Sequence, residues 1–124
     1  MLEAGGVDVL FCGHVHYYNR YAPYDTVTGD TDTASVSADT FTYTNPKYMV
    51  TIVSGASGDI EGDDGCGKDA RPSLTCSENY GWGIWQPVNA TLAKWSYHTV
   101  TADGPGPKDY SDSLTIITNH RVGQ

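Results

Sequence analysis

The sequence predicts a fold between α/β and mostly β, in which strands dominate. Residues 7–11 and 48–53 are apolar almost without interruption, as in strands that are buried on both faces of a parallel sheet. Each run is followed by a glycine-containing segment, so we expect two neighbouring strands whose loops lie at the same end of the sheet. Shorter strand patterns follow in the second half of the chain, with turn residues between them, which is typical of an antiparallel sheet.

The other elements are predicted in chain order. Residues 2–6 have the pattern of a last helical turn that ends at a glycine. The polar segment at residues 22–46 has two interpretations: a long surface loop, or short strands in which Val36, Phe41 and Tyr43 point inward. The strand patterns of the second half lie at residues 84–88, 90–97 and 113–118.

The composition limits the class of protein. With 124 residues, the chain forms one domain or part of one. The formal net charge is −8 and the 7 lysines and arginines are scattered, whereas a nucleic-acid-binding surface needs clustered basic residues. The sequence contains no run of about eighteen apolar residues. We therefore expect neither a nucleic-acid partner nor a membrane-spanning segment.

Two histidines follow the first predicted strand. His14 and His16 come directly after Gly13, and ligand sites in open α/β sheets lie just beyond the carboxyl ends of the strands. If the backbone stays extended through Val15, the two imidazoles project to the same side, where they can bind one metal ion or one ion each of a pair. Cys12 has the same parity and is a candidate third ligand, although a buried thiol at a strand end explains it more simply. The alternative is that the histidines are ordinary surface residues or hydrogen-bonded core residues.

Two cysteines, Cys66 and Cys76, lie in a glycine-rich, acidic segment, residues 63–77, that is predicted to form a loop. Their spacing does not match a zinc site of paired Cys-x-x-Cys units, and a disulfide that closes a loop of about ten residues is the simplest interpretation. The alternative is two free thiols in a cytosolic loop. Asn89 begins an Asn-Ala-Thr sequon for N-glycosylation. Together with the cysteines, the sequon favours an oxidising compartment.

Residues 13–20, with the pattern Gly-His-Val-His-x-Tyr-x-Arg, resemble the last metal-binding motif of the purple acid phosphatases, within the calcineurin-like metallophosphoesterases. Gly-His-x-His alone marks the whole superfamily, whereas the extension through Tyr18 and Arg20 is more particular to the purple acid phosphatases. The resemblance covers most of the chain, residues 5–118. One departure is Asn19, where many members carry Glu; that side chain is not a metal ligand in the family.

The resemblance implies an αββα sandwich of which residues 1–124 form the C-terminal part of a single catalytic domain, with the upstream half missing. It also implies hydrolysis of phosphate monoesters by a metal-bound hydroxide at a dinuclear centre, Fe(III) with Zn(II), Fe(II) or Mn(II). His14 matches the family's ligand of the divalent ion, and His16 matches that of the ferric ion. The other ligands of the family belong to motifs that this sequence does not contain, so we expect the chain alone to be inactive.

Two further classes of function stay open. The Gly-His-x-His pattern is shared with other metallophosphoesterases, such as nucleotidases and phosphodiesterases. A non-catalytic secreted β module, in which His14 and His16 are incidental, is the other class. The resemblance favours a secreted or a vacuolar–lysosomal protein that acts on phosphate esters. His98 and His120 have no partner motif and are predicted to be surface residues.

Overall fold

The computed structural model describes residues 2, 5–58, 62, 64–68, 70–100 and 110–119. All regular secondary structure in these ranges is β-strand, which confirms the prediction that strands dominate. The strands are β1 (Val9–Cys12), β2 (Tyr18–Tyr21), β3 (Thr42–Thr44), β4 (Val50–Ser54), β5 (Ser73–Ser77), β6 (Gly81–Asn89), β7 (Leu92–Thr99) and β8 (Tyr110–Ile117). Within the described ranges, no helix has the length and hydropathy needed to cross a bilayer.

Four strands form the first sheet, in the order β1-β4-β2-β5. β1 and β4 are parallel neighbours, with Val9 opposite Val50 and Cys12 opposite Val53, as the two apolar runs predict. β2 is antiparallel to both β4 and β5. β1 and β2 therefore run in opposite directions on the two sides of β4, so the chain must reverse between them.

Two strands of this sheet are not predicted by the sequence. β2 buries the polar side chains of Asn19 and Arg20, so it lacks the apolar pattern of a core strand. The prediction of a loop over residues 63–77 is wrong where β5 forms. Leu74 and Cys76 are the apolar residues of β5, and two such residues give a weak strand signal.

Four strands form the second sheet, in the order β3-β8-β7-β6. β7 is antiparallel to both β6 and β8, which confirms the antiparallel sheet predicted for the second half of the chain. β3 joins from the first half and is parallel to β8, with Thr42 opposite Thr115. Both sheets are therefore mixed, each with one parallel pair of strands.

The polar segment at residues 22–46 contains a buried strand as well as surface turns. Tyr43 in β3 is 0% exposed, and Val36 forms a bridge with it and packs against the core, as the short-strand interpretation predicts. The inward position predicted for Phe41 is wrong, because its side chain is 45% exposed. β3 begins at Thr42 and Thr40 has a positive φ of 64°, so Phe41 lies in the bend before the strand and outside its alternation of side chains.

The main core lies between the two sheets. It contains large buried side chains from both of them: Tyr18, Tyr43, Val50, Ile52, Trp95, Tyr97, Leu114 and Ile116. The rings of Tyr18 and Tyr97 stack across the interface, with centroids 3.9 Å apart and an interplanar angle of 7°. Successive strand side chains point to opposite faces, so Val53, next to Ile52, packs with Tyr17, Tyr21 and Tyr24 in a second cluster.

The start of the chain forms a hydrogen-bonded turn. The backbone N–H groups of Gly5 and Val7 donate to the carbonyl oxygen of Leu2 at 3.0 and 3.1 Å. Gly6 has a φ of 82°, the left-handed conformation that glycine adopts at the end of a helical turn. The middle of the helical turn predicted for residues 2–6 lies outside the described residues.

Candidate metal centre

The loop between β1 and β2, residues 13–17, carries both histidines that the sequence predicts as metal ligands. The condition under which the sequence places both imidazoles on the same side, an extended backbone through Val15, is not met. His14 has a positive φ of 75°, and the chain bends through residues 14–17. The cause is topological, since the chain must reverse here to place β2 antiparallel to β4. Strand alternation therefore does not decide how the two imidazoles are arranged.

The histidine loop rests on the loop that follows β4. The N–H of Gly55 donates to the carbonyl oxygen of Tyr17 at 3.2 Å. A Cβ atom at Gly55 would lie 2.0 Å from the carbonyl oxygen of Val15, so only glycine fits this close approach. The two glycine-containing loops therefore meet at one end of the first sheet, as the parallel strand runs predict.

His16 is held on both its backbone and its ring. Its N–H donates to Oδ2 of Asp64 at 2.6 Å, and its Nδ1 lies 3.1 Å from the carbonyl oxygen of Gly62. A carbonyl oxygen only accepts hydrogen bonds, so this contact favours the tautomer in which Nδ1 carries the proton. In that tautomer Nε2 has the lone pair that a metal ion needs. A metal-binding histidine typically donates its other ring N–H to a backbone carbonyl in this way.

His14 is exposed and lines an open cavity of about 450 Å³ beside the loop. Val15, Tyr17, Asp64, Lys68, Ala70 and Arg71 line the same cavity. Two cations therefore lie beside one histidine and one carboxylate. The guanidinium carbon of Arg71 is also 4.6 Å from the centre of the Tyr21 ring, a cation–π contact that fixes one wall of the cavity.

The ligand set supplied by this part of the chain is small. Within the described residues, no three side chains of His, Cys, Asp or Glu come together as a metal-binding group. Cys12 is partly buried and its thiol donates to the carbonyl oxygen of Ile52 at 3.8 Å. Burial raises the pKa of this thiol, and the positive charge of Arg71 only partly opposes that effect. Cys12 is thus a free thiol packed at a strand end, the simpler of its two interpretations.

A disulfide joins Cys66 to Cys76, which confirms the predicted pairing. The two Cα atoms are 6.0 Å apart, within the usual range for such a bond. Cys76 lies in β5 opposite Asn19 of β2, so the bond ties the segment that includes Asp64 to the first sheet. The segment that contacts His16 through Gly62 and Asp64 is therefore covalently anchored to β5.

Asn89 and His98 lie in the second sheet, in β6 and β7. Asn89 is exposed at the end of β6, and its Oδ1 accepts hydrogen bonds from the N–H and the hydroxyl of Thr91 at 2.9 and 3.1 Å. Its glycosylation stays a prediction. His98 is partly buried: its ring stacks on Trp82, with centroids 4.8 Å apart, because the two residues are opposite each other in β7 and β6. His120 lies outside the described residues.

Two residues of the motif form a buried polar group that the sequence does not predict. Tyr18 and Arg20 both contact Asp112 of β8, and Arg20 and Asp112 form a buried ion pair. Burial, together with the neighbouring carboxylate, raises the pKa of Tyr18 far above its usual range, so its hydroxyl stays protonated and acts as a donor. The only signal in the sequence is the charged Arg20 in an otherwise uncharged stretch, and the sequence gives no hint of a partner 92 residues away.

The chain is similar to curated acid phosphatases. It is 34% identical over 122 residues to an acid phosphatase of Aspergillus ficuum, covering 94% of this chain and 19% of that protein. It is 32% identical over 111 residues to purple acid phosphatase 18 of Arabidopsis thaliana, covering 88% of this chain and 22% of that protein. The chain therefore spans about a fifth of the length of the curated relatives it matches. No protein-family model matches it.

The fold is similar to part of a solved purple acid phosphatase from seeds of yellow lupin, Lupinus luteus. The TM-score is 0.72 at 20% sequence identity, and the match covers 97% of this chain and 19% of that chain. At this level of identity the match shows the fold alone. It confirms the prediction of a strand-dominated, C-terminal part of a metallophosphoesterase fold.

Proposed function

We propose that this chain, a homologue of the purple acid phosphatases over most of its length, forms the C-terminal part of an enzyme that hydrolyses phosphate monoesters. One observation carries the proposal. His14 and His16 lie in a loop at the carboxyl end of the parallel pair β1 and β4, and the ring of His16 is oriented by the carbonyl of Gly62. This is a suitable position and tautomer for a metal ligand.

The chain would contribute two ligands to a dinuclear centre. Imidazole nitrogen suits iron, zinc and the neighbouring transition metals, so the donor type fits a centre of Fe(III) with Zn(II), Fe(II) or Mn(II). Such a centre would activate water as the nucleophile and neutralise phosphate charge. His14 would bind the divalent ion and His16, through Nε2, the ferric ion. Each ion needs about three protein ligands, so the others would come from the rest of the protein.

Charge beside His14 supports an anionic substrate. Lys68 and Arg71 line the same cavity as His14, where their positive charges would attract a phosphate ester. Asp64, which also lines the cavity, accepts a short hydrogen bond from the backbone of His16. We assign Lys68 and Arg71 to substrate attraction, and Asp64 to holding the histidine loop.

The first prediction tests activity. The 124 residues joined to the upstream segment of their own transcript should hydrolyse a chromogenic phosphate monoester near pH 5 when iron and zinc are supplied, and the 124 residues alone should not. His16→Ala should lower kcat/KM by more than about 100-fold, because a ligand is lost. His98→Ala is the matched control, since His98 stacks on Trp82 in the second sheet.

Three outcomes of this assay contradict the proposal. Metal-dependent turnover by the 124 residues alone, at the rate of the longer protein, would show that the metal centre needs no ligands from the rest of the protein. A preference for a diester, such as bis-(4-nitrophenyl) phosphate, would favour a phosphodiesterase instead. Equal activity of His16→Ala and His98→Ala would mean that the histidine loop does not bind the metal.

The exposed sequon at Asn89 and the disulfide between Cys66 and Cys76 support a further proposal about location. Structural disulfides persist in oxidising compartments, and N-glycosylation occurs on the secretory route. We therefore place the whole protein outside the cell or in a vacuolar–lysosomal compartment. The acidic lumen of a vacuole or lysosome also suits an acid phosphatase.

A further inference from the structure

Three buried polar side chains, Tyr18, Arg20 and Asp112, link the two sheets beside the histidine loop, and we call them the inter-sheet clamp. The guanidinium of Arg20 in β2 donates to both carboxylate oxygens of Asp112 in β8, Nε to Oδ2 at 2.7 Å and Nη2 to Oδ1 at 2.8 Å. The hydroxyl of Tyr18 donates to the same Oδ2. Tyr18 and Arg20 are 0% exposed and Asp112 is 4% exposed.

Further hydrogen bonds surround the inter-sheet clamp. Nη1 of Arg20 donates to the carbonyl oxygen of Thr40 at 2.7 Å and to the hydroxyl of Tyr43 at 2.8 Å. The indole N–H of Trp95 donates to the hydroxyl of Tyr18 at 3.1 Å. A buried ion pair that is paired in this way usually adds little net stability compared with apolar side chains of the same volume. The inter-sheet clamp therefore affects mainly the geometry of the strands that it joins, and not the net stability.

The inter-sheet clamp fits one register of β2. Tyr18 and Arg20 are alternate residues of this strand, so both side chains point to the same face and reach the same carboxylate. A slip of one residue would turn both side chains to the opposite face of the sheet, away from Asp112. In the observed register Tyr18 lies opposite Ser54 and Arg20 lies opposite Ile52.

The register of β2 sets the length of the histidine loop. β1 ends at Cys12, which is fixed opposite Val53 of β4, and β2 begins at Tyr18. The loop is therefore limited to residues 13–17, and any slip of β2 would lengthen or shorten it. The first residue of the inter-sheet clamp comes two positions after His16, so little chain lies between them.

We propose that the inter-sheet clamp positions the metal-binding loop: Asp112, from the second sheet, fixes the register of β2 and thereby the backbone that carries His14 and His16. Tyr18, Arg20 and Asp112 are positioning residues in this assignment and do not touch substrate. The inference rests on the proposed function only for what the loop binds. The fixing of the loop itself does not require that the protein be a phosphatase.

The second prediction concerns loop opening in clamp variants. Tyr18→Phe removes one donor and Asp112→Asn removes the charge while keeping the shape. In both, amide hydrogen exchange at the N–H of His16, which donates to Asp64, should be about tenfold faster than global stability accounts for. The control is Tyr97→Phe. Tyr97 is as buried as Tyr18 and stacks on it, and the substitution removes a hydroxyl that donates to the carbonyl oxygen of Asn79.

A second readout separates positioning from general support. In the protein with its upstream segment, Tyr18→Phe should weaken binding of Zn(II), added alone, by about tenfold, while Tyr97→Phe leaves it unchanged. The proposal fails if Tyr18→Phe alters exchange at His16 no more than Tyr97→Phe does, each corrected for its own stability. If Asp112→Asn does not fold, Tyr18→Phe alone decides. If the unaltered protein has no phosphatase activity, the proposed function is wrong, but the exchange result still tests the positioning of the loop.

Discussion

Gly55 and Gly13 show how the same residue type serves different purposes in the two loops at the end of the first sheet. A Cβ atom at Gly55 would lie 2.0 Å from the carbonyl oxygen of Val15, whereas one at Gly13 would find its nearest neighbour, the Cα of Gly55, at 4.0 Å. The protein's own packing therefore requires glycine at position 55. Gly13 lacks a Cβ atom, so we expect it to let the chain approach a metal ion closely. This role stays a prediction.

The third prediction compares these two glycines. Gly55→Ala should destabilise the protein by about 1–3 kcal/mol, because the added methyl group forces the backbone of Val15 to move. Gly13→Ala should stay within about 0.5 kcal/mol of the parent. Urea unfolding of both variants measures the difference. A Gly55→Ala protein as stable as Gly13→Ala would mean that the two loops are not packed as described.

Single residues also set a limit on what the sequence predicts. The chemistry of His14 and His16 is visible in the sequence because a glycine and an apolar run precede them. The burial of Arg20 is not visible in the sequence, because it depends on Asp112 in β8. A charged residue in a strand pattern reads as exposed unless its partner is known, and no local pattern identifies a partner 92 residues away.

Among the elements, the continuous apolar runs predict β1 and β4 well, and their parallel pairing is confirmed. The shift of each strand by one or two residues from its predicted bounds is typical of such assignments. β2 and β5 are not predicted, because their residues are polar or mixed and lack the apolar pattern of a buried strand. The bend between His14 and Tyr17 is likewise a consequence of topology, since it exists only because β2 returns beside β4.

The turn at Asp32 is an element whose stability depends on pH. Oδ2 of Asp32 accepts a hydrogen bond from the N–H of Lys47 at 2.8 Å, and Oδ1 accepts one from the N–H of Ser35 at 3.3 Å. Partial burial raises the pKa of this carboxyl, but hydrogen bonds from Lys47 and Ser35 outweigh it, so the pKa in the folded protein is lowered. The carboxylate thus connects Ser35, which precedes β3, with Lys47, which lies between β3 and β4.

The fourth prediction follows from the sign of that shift. An aspartate whose folded pKa is lowered stabilises the protein above its unfolded pKa of about 3.9, and the stabilisation is lost as the pH falls through the folded pKa. Asp32→Asn should therefore be less stable than the parent at pH 6. The gap in free energy of unfolding should shrink as the pH is lowered through 4 to about 3. A gap that is constant with pH, or wider in acid, would contradict the lowered pKa.

At the scale of the whole molecule, the sequence predicts two groups of strands but not how they pack. The stacking of Tyr18 on Tyr97 and the parallel addition of β3 to β8 both join the first half of the chain to the second. Such contacts depend on the full topology and leave no periodic trace in the sequence. The match to part of a solved purple acid phosphatase shows that the fold recurs at 20% identity.

Because one core serves both sheets, we expect them to unfold together. Ile52, at the centre of β4, is 0% exposed and belongs to the cluster that also contains Trp95 and Leu114 of the second sheet. All three tryptophans lie in β6 and β7, and the indole of Trp95 donates to Tyr18, so tryptophan fluorescence reports on the second sheet and on its contact with the first. The thiol of Cys12, at the end of β1, reports on the first sheet through its alkylation rate.

The fifth prediction is that Ile52→Ala lowers the free energy of unfolding by about 2–5 kcal/mol by both probes, with coincident midpoints in urea. The substitution leaves a cavity between the sheets, so the loss is shared even though Ile52 lies in the first sheet only. Val27→Ala is the control, since Val27 is 89% exposed in a turn and its truncation should change neither midpoint. If Cys12 became reactive at a lower urea concentration than that at which the fluorescence changes, the sheets would unfold independently. In that case, the inter-sheet clamp and the shared core would not couple the second sheet to the loop that carries His14 and His16.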